Sequence, residues 1–527
     1  MMRCYIQNGI SDYTVTKHIK RFGRYLRKLK FVMSEQERKN NQIKALIKRV
    51  YYLLSIALAF LSAVLLWYYN VAPGWSEGFF GTRTLITVGI VYSITYYFFA
   101  RMYAAFKIGL YRLVELSFSQ MLAYTLTDGV LFIATFFWFH NLSRVRIRYF
   151  VLAVILQFFI ISAIIWILNR CYARFDSPRK VCIIYGDQDY RRLIEKMQSF
   201  PNRYAITTCI RQDSGFQVMK EALGQVQDVY LSNVSEEVRV SVILFARQHG
   251  IDVHVSMNLD DILMLGDEIS HSFDTPYFRN RKVPEMWYYP IVKRAGDIVI
   301  SLFGLLITSP VLLIVAAAIK LEDQGPVFYR QKRLTKDGRV FNIIKFRSMK
   351  QDSEAGGAQL SNAHDSRITR VGRVIRKCRI DEIPQLFNIL RGDMTLVGPR
   401  PERPEIAAQY EEKLPEFSLR LQVKAGLTGY AQVYGKYNTV PADKLKLDLI
   451  YIAYRSVLFD LRIIFYTLKI IFIPESTEGI PDGQKTAMGD DGDEMPSDET
   501  MPSLANAAML DDTESLHDES SDDVKSI

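Results

Sequence analysis

The sequence predicts a membrane protein of α plus α/β class: a four-helix transmembrane bundle, a small cytoplasmic α/β domain, and a C-terminal domain with a re-entrant membrane helix. Three observations carry this. Four apolar runs of spanning length crowd the first third of the chain, and short β-branched runs then alternate with helical stretches. One more long apolar segment follows, with basic residues at both of its ends.

The four runs lie at roughly Val50–Tyr69, Thr84–Ala104, Leu113–Phe139 and Tyr149–Leu168, each near or above the ~20 residues a helix needs to cross hydrocarbon. Residues 1–49 are polar and basic (Lys17, Lys20, Arg21, Arg24, Arg27, Lys28, Lys30), with no short apolar stretch ahead of a small-residue cleavage site. The N-terminus is therefore expected to stay in the cytoplasm, joined there by the loop with Arg101, Lys107 and Arg112, while residues 70–82, free of Lys and Arg, face outward. The loop His140–Arg148 breaks the rule with Arg144, Arg146 and Arg148. The third span also holds Glu115 and Asp128, which read either as helix-end or bundle-facing groups or as functional intramembrane acids.

Residues 179–275 read as a Rossmann-like domain, with strands at Lys180–Tyr185, Tyr204–Ile210, Asp228–Leu231 and Ile251–Val255 and helices at Tyr190–Ser199 and Glu236–His249. Its first turn, Gly186-Asp187-Gln188-Asp189, lacks the glycines that let backbone amides approach a pyrophosphate, so a structural or regulatory role is expected rather than cofactor binding. The five cysteines are dispersed, with no CxxC, which argues against a disulfide framework or structural zinc.

In the C-terminal domain, residues 290–473, the apolar segment Asp297–Leu321 is flanked by Lys293 and Arg294 on one side and Lys320, Arg330, Lys332 and Arg333 on the other. Both ends then belong on the cytoplasmic side. Ser309-Pro310 sits mid-segment, where proline removes a donor and clashes with the preceding turn, so a break with re-entry is expected over residues 297–321; a Pro-kinked fifth span is the alternative. Residues 474–527 read as a disordered acidic tail. Residues 490–527 alone hold 13 Asp and Glu against one Lys, a net −12, so the preceding 489 residues carry about +22 of the overall +10. A body this basic suits anionic partners, and the spans favour lipid headgroups and phosphates over nucleic acid.

Between residues 325 and 435 polar side chains cluster densely. In Arg376-Lys377-Cys378-Arg379-Ile380-Asp381-Glu382-Ile383-Pro384-Gln385-Leu386-Phe387-Asn388, Pro384 suits a first helical turn and Asp381 an N-cap, so simple capping would explain an isolated motif. The surrounding cations change that balance: Lys345, Arg347, Arg370, Arg373, Arg376, Lys377, Arg379 and Arg400 would attract phosphate and keep a carboxylate ionised as a nucleophile or metal ligand. A diphosphate substrate brings Mg²⁺, whose oxygen preference Asp381 and Glu382 can meet. Lys345 and Arg347 share one strand face by the period of two and could address one anion, or else make salt bridges along an edge strand.

These motifs resemble the bacterial sugar transferase family, the monotopic polyprenyl-phosphate phosphoglycosyl transferases. The matching residues are Lys293-Arg294 with Asp297, Ser309-Pro310, Gly325-Pro326-Val327-Phe328, Lys345-Phe346-Arg347-Ser348-Met349, Asp381-Glu382-Ile383-Pro384-Gln385-Leu386, Gly392-Asp393-Met394, Val397-Gly398-Pro399-Arg400-Pro401 and Gly426-Leu427-Thr428-Gly429. The resemblance spans about Lys293–Phe472 and, in the large members, the N-terminal spans and α/β domain. It implies that Asp381 is a covalent nucleophile, that Glu382 assists through Mg²⁺ or proton handling, and that Lys345, Arg376 and Arg400 hold phosphate oxygens. It implies a UDP-sugar donor and an undecaprenyl phosphate acceptor, the start of capsular, exopolysaccharide or O-antigen synthesis, and a bacterial plasma membrane location with the active site on the cytoplasmic face. Two departures stand out: Arg333-Leu334-Thr335 in place of Arg-x-Gly, and Lys424-Ala425-Gly426 in place of Arg-Pro-Gly.

A nucleotide-sugar oxidoreductase would need the missing glycine fingerprint. A scaffold for other polysaccharide-assembly proteins would not need the Asp381-Glu382 dyad, although the spans could recruit such partners, or a second copy as a homodimer, alongside catalysis. The stretch Asp448–Phe472 fits either an interfacial helix or ordinary core-facing helices.

Overall fold

The computed structural model describes residues 35–70, 81–139, 147–187, 190–201, 203–265, 267–272, 275–279, 286–350, 367–435 and 439–471. The first 34 residues, most of the outward-assigned loops, Gln188-Asp189 and the acidic tail lie outside them. Helices α1 (Glu35–Asn70), α2 (Thr82–Met102), α3 (Leu113–Phe139) and α4 (Ile147–Arg174) fall on the four apolar runs. Helix α1 starts well inside the segment expected to be a separate basic N-terminus, because residues 35–49 hold no Gly or Pro to stop a helix continuing past the apolar run. Helix α1 packs on α2 and α4, α2 on α3, and α3 on α4. Their shared interior is built from Tyr51, Tyr92, Tyr96, Tyr124, Ile161 and Ile165, with Ala59, Ala63, Ala100 and Ala123 letting backbones approach. Lys44 pairs with Asp176 at 2.8 Å, so the polar start of α1 and the end of α4 lie on one side.

Residues 177–256 form a separate compact unit. Strands β1 (Arg179–Tyr185), β2 (Tyr204–Arg211), β3 (Asp228–Ser232) and β4 (Asp252–Val255) make a parallel sheet of order β2-β1-β3-β4, with helices α5 (Tyr190–Gln198), α6 (Phe216–Leu223) and α7 (Glu236–His249) as the connections. Period and β-branching place the strands. Val181 to Ile184 are all buried, as parallel strands covered on both faces must be. After β1, Asp187 accepts a hydrogen bond from Asn233 Nδ2 at 2.6 Å. The expected boundary at residue 275 moves back to Ser256: Ile262, on α8 (Leu259–Leu263), is buried in the core of the other unit, which also includes the hairpin β5 (Glu268–Ser272) and β6 (Thr275–Arg279).

Helix α9 (Tyr289–Asp323) is helical without interruption through Pro310. Ser309-Pro310 is thus a proline inside a helix and not a gap between two, and Ser309 Oγ donates back to Leu306 O at 2.8 Å. Five helices, α1 to α4 and α9, are long and apolar enough to cross a membrane. In α9 only 11% of the most apolar window is buried, so its apolar surface needs a cover that the described residues do not supply.

Both ends of α9 are fixed to the C-terminal domain. That domain follows as the antiparallel hairpin β7 (Phe328–Leu334) and β8 (Val340–Phe346), then α10 (Arg370–Lys377), α11 (Gln385–Arg391), β9 (Thr395–Val397), α12 (Pro404–Lys413), β10 (Gly426–Thr428), α13 (Tyr430–Tyr434), α14 (Pro441–Tyr454) and α15 (Val457–Ile471). At the first end of α9, Asp297 accepts from Thr395 Oγ1 at 2.7 Å and Leu396 N at 3.0 Å. Arg294 donates to the carbonyls of Ile389 and Leu390 at the end of α11, where a cation suits the helix dipole. Lys293 reaches Asp460 at 2.7 Å, and Tyr289 and Tyr451 donate to the same carboxylate. At the other end Val315 and Ile319 pack on Phe346 and Ile375, and Asp323 pairs with Arg347.

The stretch expected to be interfacial or core-facing is core-facing: Tyr451, Ile452 and Ile463 are buried in the domain's main core. Helix α15 also meets the helical region, with Phe465 against Phe99 and Tyr103 and Lys469 over the Tyr111 ring at 4.4 Å.

Candidate active site

Asp381 and Glu382 lie in a 3-10 turn, Ile380–Glu382, between α10 and α11. Asp381 is not the expected N-cap: the cap of α11 is Pro384 and takes no side-chain bond. The turn is entered through Arg379 in the left-handed conformation at φ 54°, sparsely populated for a residue with a Cβ. Helix α10 is capped by Thr369, whose Oγ1 accepts from Gly372 N, and by Glu322 of α9, which accepts from Arg370 N.

The two carboxylates differ sharply. Glu382 Oε1 accepts from Lys345 Nζ at 2.8 Å and Arg400 Nη2 at 2.9 Å. Burial would raise its pKa, but Arg400 and Lys345 outweigh burial and hold it well below the usual carboxylate range. Asp381 has no hydrogen bond or ion pair among the described residues. Burial, with the adjacent Glu382 charge, pushes it up to about 6, against the pull of Lys345, Arg376 and Arg400. One acid is neutralised in place. The other, partly buried, is left without a partner among the described residues.

Each cation is positioned by backbone architecture. Asn388 of α11 clamps β8, donating to Asn342 O at 2.8 Å and accepting from Ile344 N at 2.9 Å, which brings Lys345 over the dyad. Arg376, in the last turn of α10, donates Nε to Ser348 Oγ at 2.9 Å. Arg400 rides on a loop whose carbonyls are held from three sides: Arg420 donates to Arg400 O, Arg333 to Pro401 O and Leu334 N to Glu402 O. Beneath it the backbones of Gly398, Gly426 and Gly429 approach so closely that a side chain at Gly426 or Gly429 would strike Gly398.

The structure thus gathers Lys345, Arg376 and Arg400 with Asp381 and Glu382, and it adds Arg379 beside them. Arg347 does not join this group. Lys345 is on β8 and Arg347 just beyond its end, where the buried guanidinium pairs with Asp323 of α9. Ser309 and Pro310 are mid-way along α9. Sequence reasoning missed a buried charge network behind Arg400: Arg420 reaches Asp448 at 2.7 Å and Glu402 at 3.5 Å. Burial raises Asp448 to about 6, while Arg420 opposes that rise. Nothing in the local sequence marks these residues, because their partners are far apart along the chain.

The sequence model described as bacterial sugar transferase matches residues 288–474, the part of the chain that holds this site. An exopolysaccharide production protein of Rhizobium leguminosarum bv. phaseoli is 39% identical over 200 residues, covering 36% of this chain and 97% of that protein. The chain belongs to the bacterial sugar transferase family. Within it, an Aeromonas hydrophila UDP-N-acetylgalactosamine-undecaprenyl-phosphate N-acetylgalactosaminephosphotransferase is 44% identical over 186 residues, 35% of this chain and 44% of the relative. The Komagataeibacter xylinus undecaprenyl-phosphate glucose phosphotransferase is 34% identical over 315 residues, 55% of this chain and 58% of the relative. The match to these two sugar transferases thus spans about half of each one's length.

Proposed function

We propose that this chain transfers a sugar-1-phosphate from a UDP-sugar to undecaprenyl phosphate on the cytoplasmic face of a bacterial plasma membrane, beginning a capsular, exopolysaccharide or O-antigen polymer. The observation that carries the proposal is the unpaired Asp381 carboxylate among Lys345, Arg376, Arg379 and Arg400, next to a Glu382 already neutralised. An Asp381 oxygen attacks the phosphorus bonded to the sugar; the bond to the UMP oxygen breaks and UMP leaves with the electron pair. A lipid phosphate oxygen then attacks the same phosphorus and releases the Asp381 carboxylate. Lys345, Arg376 and Arg400 stabilise phosphate oxygens as charge develops. The names of the relatives support the two substrates.

Mg²⁺ fits the donor set in a limited way. Among the described residues no three His, Cys, Asp or Glu side chains stand together; of these residues Asp381 and the second oxygen of Glu382 could hold the ion, with phosphate oxygens and water in the shell, as Mg²⁺ commonly accepts. When bound it would neutralise diphosphate charge.

A re-entrant course for α9 is supported by its anchoring. The stretch from Asp297 to Asp323 would span about 39 Å if straight, yet the residues at its two ends both bind one domain. Pro310 between them would allow a bend, and the outward apolar middle would sit in one leaflet, keeping the active site at the headgroup depth of the acceptor phosphate. The first four helices form the transmembrane bundle in this scheme.

The test is UMP release by purified full-length chain in lipid with undecaprenyl phosphate, Mg²⁺ and a panel of UDP-sugars, native against Asp381→Asn. Release with one donor, abolished in the variant, supports the proposal. No release with any donor from folded protein leaves the scaffold role instead.

A further inference from the structure

Asp128 lies midway along α3 with 2% of its surface exposed, and its neighbours Tyr92 on α2 and Gln157 on α4 are equally buried. Tyr92 OH donates to Asp128 Oδ1 at 2.6 Å, and Gln157 Nε2 lies 3.2 Å from Tyr92 OH and 3.5 Å from Asp128 Oδ1. Two buried oxygens in this trio have no partner among the described residues, Asp128 Oδ2 and Gln157 Oε1. Both are acceptors if the acid is ionised, so neither can satisfy the other. The titratable group facing Asp128 from α2 is Tyr92 and the polar group from α4 is Gln157, and among the described residues no Lys, Arg or His pairs with it. An unpaired carboxylate and an orphaned amide oxygen at this depth would each cost free energy, and a single hydrogen would remove both costs.

We propose that Asp128 is a proton-binding site: a neutral carboxylic acid whose Oδ2–H donates to Gln157 Oε1, while Oδ1 accepts from Tyr92 and from the Gln157 amide. The pair is then a closed acid–amide contact with donors and acceptors matched, and it ties α2, α3 and α4 together without burying charge. The inference is independent of the transferase chemistry, which lies in another part of the chain.

The experiment is infrared difference spectroscopy on the full chain in lipid nanodiscs near neutral pH, native minus Asp128→Asn, in H₂O and D₂O. A protonated-acid carbonyl band that shifts in D₂O and is lost in Asp128→Asn is expected. Asn is a near-isostere that can still donate to Gln157, so the variant should retain the native melting temperature, whereas Asp128→Leu should lower it. A second variant, Gln157→Leu, should keep the acid band but move it to higher frequency, since the hydrogen bond to the amide is gone. Carboxylate bands in place of the acid band, an acid band unmoved by Gln157→Leu, or loss of the acid band when Na⁺ replaces a large organic cation would each overturn the proposal.

Discussion

Thr335 and Ala425, 90 residues apart in the chain, are joined by one buried hydrogen bond: Ala425 N donates to Thr335 Oγ1 at 3.2 Å, and the same hydroxyl donates to Asp393 O at 3.0 Å. These are the two positions at which the resemblance described above implies Gly and Pro. A Pro at 425 would have no N–H to satisfy and a Gly at 335 no hydroxyl to offer, so this contact exists only with both residues as they stand. Thr335→Gly alone should cost about 1–3 kcal/mol by orphaning a buried donor. Ala425→Pro alone should also destabilise, and the double variant should be less damaged than the two effects added. A thermal-melt double-mutant cycle checks this; strict additivity would mean the contact carries no coupling.

The acid limb of the pH profile should fall near 6, because the proposed mechanism needs Asp381 ionised and burial with Glu382 raises its pKa to about 6. Lys345 lowers that pKa, so Lys345→Met should move the limb to higher pH; Glu382 raises it, so Glu382→Gln should move the limb lower. Initial rates of UMP release across pH 5 to 8, a range of about three units chosen to bracket the limb, decide between opposed shifts and shifts in one direction.

Lys345→Met should also slow turnover by about a hundredfold, the usual effect of removing one group that stabilises developing charge. Arg347→Met should act differently. Its guanidinium holds Asp323 at the end of α9, so the loss should appear in thermal stability and membrane extraction more than in the rate of folded protein. Measuring kcat beside melting temperature for both variants separates the roles, and a rate loss without a stability loss at Arg347 would return it to the phosphate-binding group.

Asp297→Ala removes the acceptor for Thr395 Oγ1 and Leu396 N and leaves a buried backbone donor unpaired. A stability loss of about 1–3 kcal/mol is expected, with increased protease access at β9. Asp297→Asn, which can still accept from Leu396 N, should lose less. Equal losses for Ala and Asn would show that the charge and not the hydrogen bonding matters at this end of the helix.

Much of this was legible because long periodic signals survive any tertiary context. Apolar runs of spanning length located α1 to α4 and α9, and β-branched runs located the parallel sheet. Element ends were less legible: α1 extends back to Glu35 because residues 35–49, with no Gly or Pro, continue the helix ahead of the first apolar turn, and the α/β unit ends at Ser256 because Ile262 finds its core elsewhere. At the site, spacing along one strand suggested a shared anion for Lys345 and Arg347, but the strand stops at Phe346 and Asp323 captures the second residue. Asp381 has a capping position in the sequence and no capping bond in the structure, since the 3-10 turn holds it ahead of the helix, whose cap is Pro384. The Arg420–Asp448 pair had no local signal at all.

The central claim is that Asp381 becomes covalently bound to the phosphosugar. The most direct measurement is intact-peptide mass spectrometry of the full chain after rapid acid quench, with Mg²⁺ and the active UDP-sugar but no undecaprenyl phosphate. The account predicts a sugar-phosphate increment on the peptide containing Asp381, with stoichiometric UMP, removed by adding acceptor and absent in Asp381→Asn. UMP release that requires the acceptor from the first turnover, with no modified peptide, would contradict it.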